Sequence, residues 1–130
     1  TFLEKGRIEL IAARHALREK RDPRPAFDAA TAALARAETL NPSAPEIFLA
    51  QAQVERWRAE SGQEGAVRRG LERVEKALAI NPEDAPAYAV RGALLHLAGR
   101  RGEAGEALRK AIAINPLLRR EYGPLLAPAP

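Results

Sequence analysis

The sequence predicts an all-α chain in which three helix-turn-helix hairpins stack in order and a short C-terminal helix closes the end. Three observations predict it. Alanine is abundant while aromatic residues make up only 5% of the 130 residues, a balance that favours helix over strand. Apolar residues recur at helical spacing, as in Val74, Ala77, Leu78 and Ile80, or Leu108, Ala111, Ile112 and Ile114. Asn-Pro stands directly behind such a stretch three times, at Asn41-Pro42, Asn81-Pro82 and Asn115-Pro116.

Asn-Pro is a helix terminator with a mechanism. Proline disfavours the helical conformation in the residue before it, and its ring cannot continue a helix. Asn tolerates the irregular backbone that results. The intervals between the three pairs are 40 and 34 residues. Periods of this size mark stacked supersecondary units.

The first unit, 2–42, opens with a long helix from about Phe2 to Lys20. A Pro-rich turn, Asp22-Pro23-Arg24-Pro25, leads to a second helix ending in AALARAETLNP. The second unit, 43–82, starts at Ser43-Ala44-Pro45-Glu46, which reads as a capping box with Ser43 as cap and Glu46 reaching back. About six extra residues, Glu60-Ser61-Gly62-Gln63-Glu64-Gly65, separate its helices, and it ends in RVEKALAINP. The third unit, 83–116, is capped by Asp84, turns at Gly99-Arg100-Arg101-Gly102 and ends in ALRKAIAINP. A capping helix over 117–126 carries Leu117, Leu118, Tyr122 and Leu125 on its apolar side, as an exposed last hairpin requires. The tail 127–130 reads as disorder or linker.

Tyr88-x2-Arg91-Gly92-x2-Leu95, followed by Ala104, Leu108, Ala111 and Pro116, resembles the tetratricopeptide repeat (TPR) in spacing and length. Gly92, Ala104, Ala111 and Pro116 match its pattern outright, whereas Arg91 stands where an apolar residue is usual. The second unit keeps Phe48, Ala52, Val74, Ala77 and Pro82, but has Gly70 for an alanine and Glu55 for an apolar residue. The first keeps Ala30, Leu34, Ala37 and Pro42. The resemblance implies a TPR-like α-solenoid, right-handed, in which small residues such as Gly92 and Ala104 let paired helices approach closely.

It also implies a function. The first helices of such hairpins line a concave groove that holds a peptide or partner helix. Alignment puts Leu49, Gln53, Arg56 and Trp57 of the second unit there, with Ala89, Val90, Ala93, His96 and Leu97 of the third. Trp57, the only tryptophan, reads equally as a partner anchor or as packing against the inserted 58–66 loop. The chain's own termini are rival occupants of the groove. A carboxylate clamp of the kind some TPR domains use is not expected, because Pro86 and Val90 stand where Lys and Arg would be needed. Phrases such as ERVEKALAINPEDAPAYAVRGALLHLAGR are similar to the C-terminal TPR segments of myxobacterial-type serine/threonine protein kinases. A cytoplasmic interaction module of a larger signalling protein is therefore expected, and the absence of Met even at position 1 fits a fragment.

Other classes find little in the residues. No apolar run approaches the roughly 18 residues of a membrane span. With no cysteine there is neither disulfide nor thiolate metal site. His15 and His96 have no nucleophile or carboxylate pair at a catalytic spacing and read as partly buried structural histidines. Nucleotide-loop and kinase motifs are lacking, so no catalytic residue, metal or cofactor is expected. The net charge of +4 suits nucleic acid, yet the basic residues are interleaved with Glu along every segment, as on a solvated helix surface. A nucleic-acid binder using Arg68, Arg69, Arg73, Arg100 and Arg101 is the lesser rival to a protein or peptide partner. Self-association into a homodimer through the groove or an uncovered end is the other.

Overall fold

The computed structural model describes residues 1–126, all of whose regular structure is helical. The tail 127–130 lies outside the described residues. Six helices come first: α1 (Phe2–Arg18), α2 (Arg24–Leu40), α3 (Pro45–Glu60), α4 (Ala66–Ile80), α5 (Ala85–Leu97) and α6 (Arg101–Ile114). A short 3-10 turn (Pro116–Leu118), α7 (Arg119–Tyr122) and a second 3-10 turn (Gly123–Leu126) follow. Each odd-numbered helix among the first six packs most extensively on the helix that follows it. Hairpins join through α2 against α3 and α4 against α5, and α3 also touches both α1 and α5.

The core follows this order. One cluster joins α1, α2 and α3 through Ala13, Phe27, Ala30, Leu34, Ala50 and Val54. The next joins α3, α4 and α5 through Phe48, Ala52, Val74, Ala77, Val90 and Leu94. A third joins α5, α6 and α7 through Ala89, Ala93, Leu108, Ala111 and Tyr122. Every cluster takes residues from a hairpin and from the helix after it, because a lone hairpin has too little apolar surface to fold by itself. Full burial of one Leu, Val or Phe side chain contributes roughly 1.5–3 kcal/mol.

Close approach within two hairpins depends on glycine. A Cβ added to Gly92 of α5 would sit 2.5 Å from Leu108 Cγ, and one added to Gly6 of α1 would sit 2.6 Å from Leu34 Cγ. Leu34 and Leu108 both precede their Asn-Pro proline by eight residues, so Gly6 does in the first hairpin what Gly92 does in the third. The middle hairpin differs. At the same register it has Val74, and the buried Gly70 lies against Leu94 and the Glu55 side chain.

Asn41, Asn81 and Asn115 close α2, α4 and α6 with near-identical extended backbones (φ −146°, −132° and −134°). Asn81 Oδ1 accepts from the Glu83 N–H at 3.2 Å, and Asn115 Oδ1 from the Leu117 N–H at 3.1 Å. The side chain thus forms a local turn that redirects the chain around the proline. The helices before the hairpin turns end differently, each on a left-handed residue: Lys20 (φ 57°), Gly62 (φ 87°) and Gly99 (φ 78°). Two are glycines, as that conformation favours; Lys20 takes it at a steric cost.

Several local expectations are corrected. The first helix stops at Arg18, because Lys20 already belongs to its left-handed terminus. Ser43 does not cap α3: the cap is Ala44, without a side-chain bond, and Ala44 instead packs with Ala37 and Ile47. Asp84 does cap α5, its Oδ1 accepting from the Ala87 N–H at 3.1 Å. The closing segment is not one helix but α7 between two 3-10 turns, and Leu117 is 84% exposed while Leu118, Tyr122, Leu125 and Leu126 pack inward. His15 is exposed beside Glu19 rather than partly buried, since it lies at the end of α1 away from the core.

Candidate interaction face

α1 and α3 touch, and two side-chain rows meet there. Arg7, Leu10 and Arg14 project from α1 at spacings of three and four. Leu49, Gln53, Arg56 and Trp57 project from α3 in the same rhythm. Such spacings place side chains one above another on a single helix face. Between the rows lies a small cavity of about 180 Å³ lined by Gly6, Arg7, Leu10, Leu34, Leu49, Ala50 and Gln53.

Trp57 anchors the far end of this face. Its indole packs on the α1–α2–α3 cluster, with the Arg14 guanidinium 4.1 Å and the Arg56 guanidinium 4.8 Å from its ring centroid. The inserted residues lengthen α3 and form a glycine-bearing turn, Ser61 to Gly65. Arg56 also lies 5.4 Å from the Tyr122 ring centroid and donates from Nη1 to the Tyr122 hydroxyl at 3.3 Å. A chain of cation–π contacts thus runs from Arg14 through Trp57 and Arg56 to Tyr122.

The residues expected in the groove divide into two groups. Leu49, Gln53, Arg56 and Trp57 are partly exposed and come together on the α1–α3 face. Ala89, Val90 and Ala93 are buried. Val90 belongs to the α3–α4–α5 core, while Ala89 and Ala93 sit in the cluster with Tyr122 of the chain's own C-terminal segment. At the end of α5, His96 is partly exposed and Leu97 exposed. Over α5, then, the floor is occupied by this chain; over α1 and α3 it is open. Arg7, Leu10 and Arg14 were not singled out from the sequence, because the first unit's opening helix aligned least well. The seven-residue interval between Arg7 and Arg14 was the available signal.

Two buried polar atoms on this face lack a hydrogen-bond partner, Gln53 Oε1 and Arg56 Nε. Leaving such an atom unpaired costs about 1–3 kcal/mol. They are one helical turn apart and mark where the fold's own hydrogen bonding is incomplete.

The opposite side of the hairpins is electrostatically closed. Glu55 and Arg58, 8% and 7% exposed, pair at 2.9 Å. Arg69 donates to Glu55 at 3.1 Å and Arg58 to Asp28 at 3.1 Å, so α2, α3 and α4 are cross-linked. Arg73 of α4 reaches Glu38 of α2 at 3.1 Å and Gln51 of α3 at 3.3 Å. Arg91, the departure from an apolar position, bonds Glu75 of α4 at 2.8 Å. Of the five arginines that make up the nucleic-acid alternative, Arg68, Arg69, Arg73 and Arg100 each have a carboxylate partner. At the α5–α6 turn, the hydrogen bond from Arg100 holds the Glu103 carboxyl below its ordinary range.

No group of three or more His, Asp or Glu among the described residues is arranged to hold a metal ion. None of the described helices is long and apolar enough to cross a membrane. No protein-family model matches the chain, and no curated protein matches it closely enough to report.

Proposed function

We propose that this chain is a TPR-like helical-repeat module whose α1–α3 face binds a segment of a partner protein. The observation that carries this reading is the face itself. Leu10, Leu49 and Trp57 supply an apolar floor and an aromatic anchor, and the partly exposed Gln53 and Arg56 supply polar groups beside them. Aromatic and arginine side chains beside a small apolar depression are the residues that carry most interface energy. The repeat assignment is supported by the 34- and 40-residue intervals, the shared Asn-Pro corners and the glycine–leucine approach in two hairpins. Placement within a larger cytoplasmic signalling protein is part of the same proposal and rests on the sequence resemblance alone.

The test is to select binders from a random peptide display library and map them by amide chemical-shift perturbation. Shifts centred on Leu10, Leu49, Gln53 and Trp57 are expected. Shifts centred on α2, α4 and α6 instead would refute the assignment of the face.

A second reading has its own observation. Ile8 and Ile11 of α1 are 64% and 62% exposed, an apolar pair at the N-terminal edge of the stack. Self-association would cover them. Sedimentation over a wide concentration range decides it: Ile8→Lys should abolish any dimer, and a monomer at high concentration removes the reading.

A further inference from the structure

Building on the proposed α1–α3 binding face, we propose that its partner is an acidic segment, with carboxylates that engage Arg7, Arg14 and Arg56. The charges beside Trp57 point this way. Arg58, Arg69, Arg73 and Arg91, on the other faces, all have carboxylate partners. Among the described residues Arg7, Arg14 and Arg56 form no ion pair. Along the α1 row, Arg7, Leu10, Arg14 and Leu17, there is no acid at all. The α3 row has two, Glu46 and Glu60, one at each end, and neither pairs with any of the three.

Arg14 and Arg56 both stack on the Trp57 indole, so two like charges are held close together without a counter-ion. Mutual repulsion between them is relieved when a carboxylate arrives, and a guanidinium can take a carboxylate through two parallel hydrogen bonds. Arg7 lies two helical turns from Arg14, about 10 Å along α1. That distance is spanned by roughly three residues of an extended strand, so acids at alternating or every-third positions reach both ends. Between them lies the apolar cavity at Leu10 and Leu49, with Gln53 Oε1, an acceptor without a donor, among its lining residues. An acidic segment with a small apolar residue between its carboxylates fits this order of charge, apolar floor and charge.

Nucleic acid also carries negative charge, but single strands bind by stacking bases on open aromatic faces. Here the indole is stacked by the protein's own arginines and Tyr122 is buried against Ala89 and Ala93. Carboxylates are the better match.

Trp57 is the only tryptophan, so its fluorescence reports on this face directly. The full chain is titrated with oligo-glutamate, oligo-glutamine and oligo-deoxythymidine of equal length. Oligo-glutamate should shift the Trp57 emission, bind more weakly as salt rises, and lose about tenfold in affinity in Arg7→Gln/Arg14→Gln, a difference of about 1.4 kcal/mol. Circular dichroism checks that variant's fold; should it be unfolded, Arg7→Gln alone, which stacks on no aromatic ring, must still weaken binding. Equal affinity for oligo-glutamine overturns the acidic preference while leaving the binding face intact. Tighter binding of oligo-deoxythymidine overturns it in favour of nucleic acid. Failure of every peptide to perturb Trp57 overturns both this inference and the proposed face.

Discussion

Gly92 supplies a quantitative test of how the hairpins pack. Replacing a mid-helix glycine by alanine ordinarily stabilises a helix by about 0.8–1 kcal/mol. At Gly92 the added Cβ would stand 2.5 Å from Leu108 Cγ, 2.6 Å from its Cδ2 and 3.2 Å from the Ala104 carbonyl oxygen. Leu108 is fully buried and the carbonyl is backbone, so neither neighbour can swing away. Overpacking of this kind costs about 1–3 kcal/mol. Set against the propensity gain, Gly92→Ala should be neutral to destabilising by about 2 kcal/mol, and Gly92→Leu far worse.

Gly105 is the control. Its Cβ would meet only the end of the flexible Arg109 side chain, so Gly105→Ala should stabilise by about 0.5–1 kcal/mol. The sharper measurement is a double-mutant cycle in urea, followed by helical circular dichroism. Leu108→Ala alone should cost about 2–5 kcal/mol. In that background only the 3.2 Å approach to the Ala104 carbonyl remains, and Gly92→Ala should become stabilising by up to the propensity difference. A change of sign between the two backgrounds is the signature of contact. If Gly92→Ala stabilises the wild-type chain as much as Gly105→Ala does, the close approach of α5 and α6 is wrong.

Lys20→Gly should stabilise by about 0.5–1 kcal/mol by removing a left-handed lysine, whereas Gly99→Ala, with open space around it but φ 78°, should destabilise by about 1 kcal/mol; thermal unfolding reads both. Glu55→Ala should cost about 3 kcal/mol, because it removes the buried carboxylate that Arg58 and Arg69 share and leaves Arg58 only the exposed Asp28, while Asp28→Asn at the exposed end of that network should change stability by under about 1 kcal/mol. Chemical denaturation of the two variants side by side checks the order. Tyr122→Ala should uncover Ala89 and Ala93 and free Arg56, lowering stability by about 3–5 kcal/mol and changing Trp57 emission in the folded state. Unchanged emission would mean that Arg56 does not couple the two rings.

Helix identity and order were legible in the sequence for a plain reason: apolar periodicity and Asn-Pro are local signals, and local signals survive without knowledge of tertiary contacts. The Asp84 cap was legible on the same ground. Ser43 misled because Ala44 is drawn into a tertiary cluster with Ala37 and Ile47, which shifts the helix start by one residue and leaves the serine outside. Lys20 was invisible as a helix end because nothing in its side chain favours positive φ; only the turn geometry around it does. On the candidate face, alignment found the α3 row but not the α1 row, since Gly6, the equivalent of Gly92, is not placed by any Asn-Pro count through its long hairpin. Of the α5 positions, Val90 goes to the α3–α4–α5 core, and what covers Ala89 and Ala93, Tyr122, comes from a segment whose helical pattern is broken by Gly123-Pro124.

The middle hairpin shows why its departures from the repeat pattern belong together. Where the outer hairpins have glycine facing leucine, it offers the smaller Val74, and α4 gains its close approach from Gly70 instead, against Leu94 and the Glu55 stem. The close passage of Gly70 leaves Glu55 at 8% exposure, and a buried carboxylate requires partners. Arg58 and Arg69 provide them, and both arginines are thereby committed to that network. Arg56, on the other side of α3, has no such carboxylate and turns to Trp57 and Tyr122. A single glycine in α4 is thus linked, through the charge it helps to bury, to which arginines remain free on the opposite face. That is how a residue with no side chain helps decide what the face between α1 and α3 can bind.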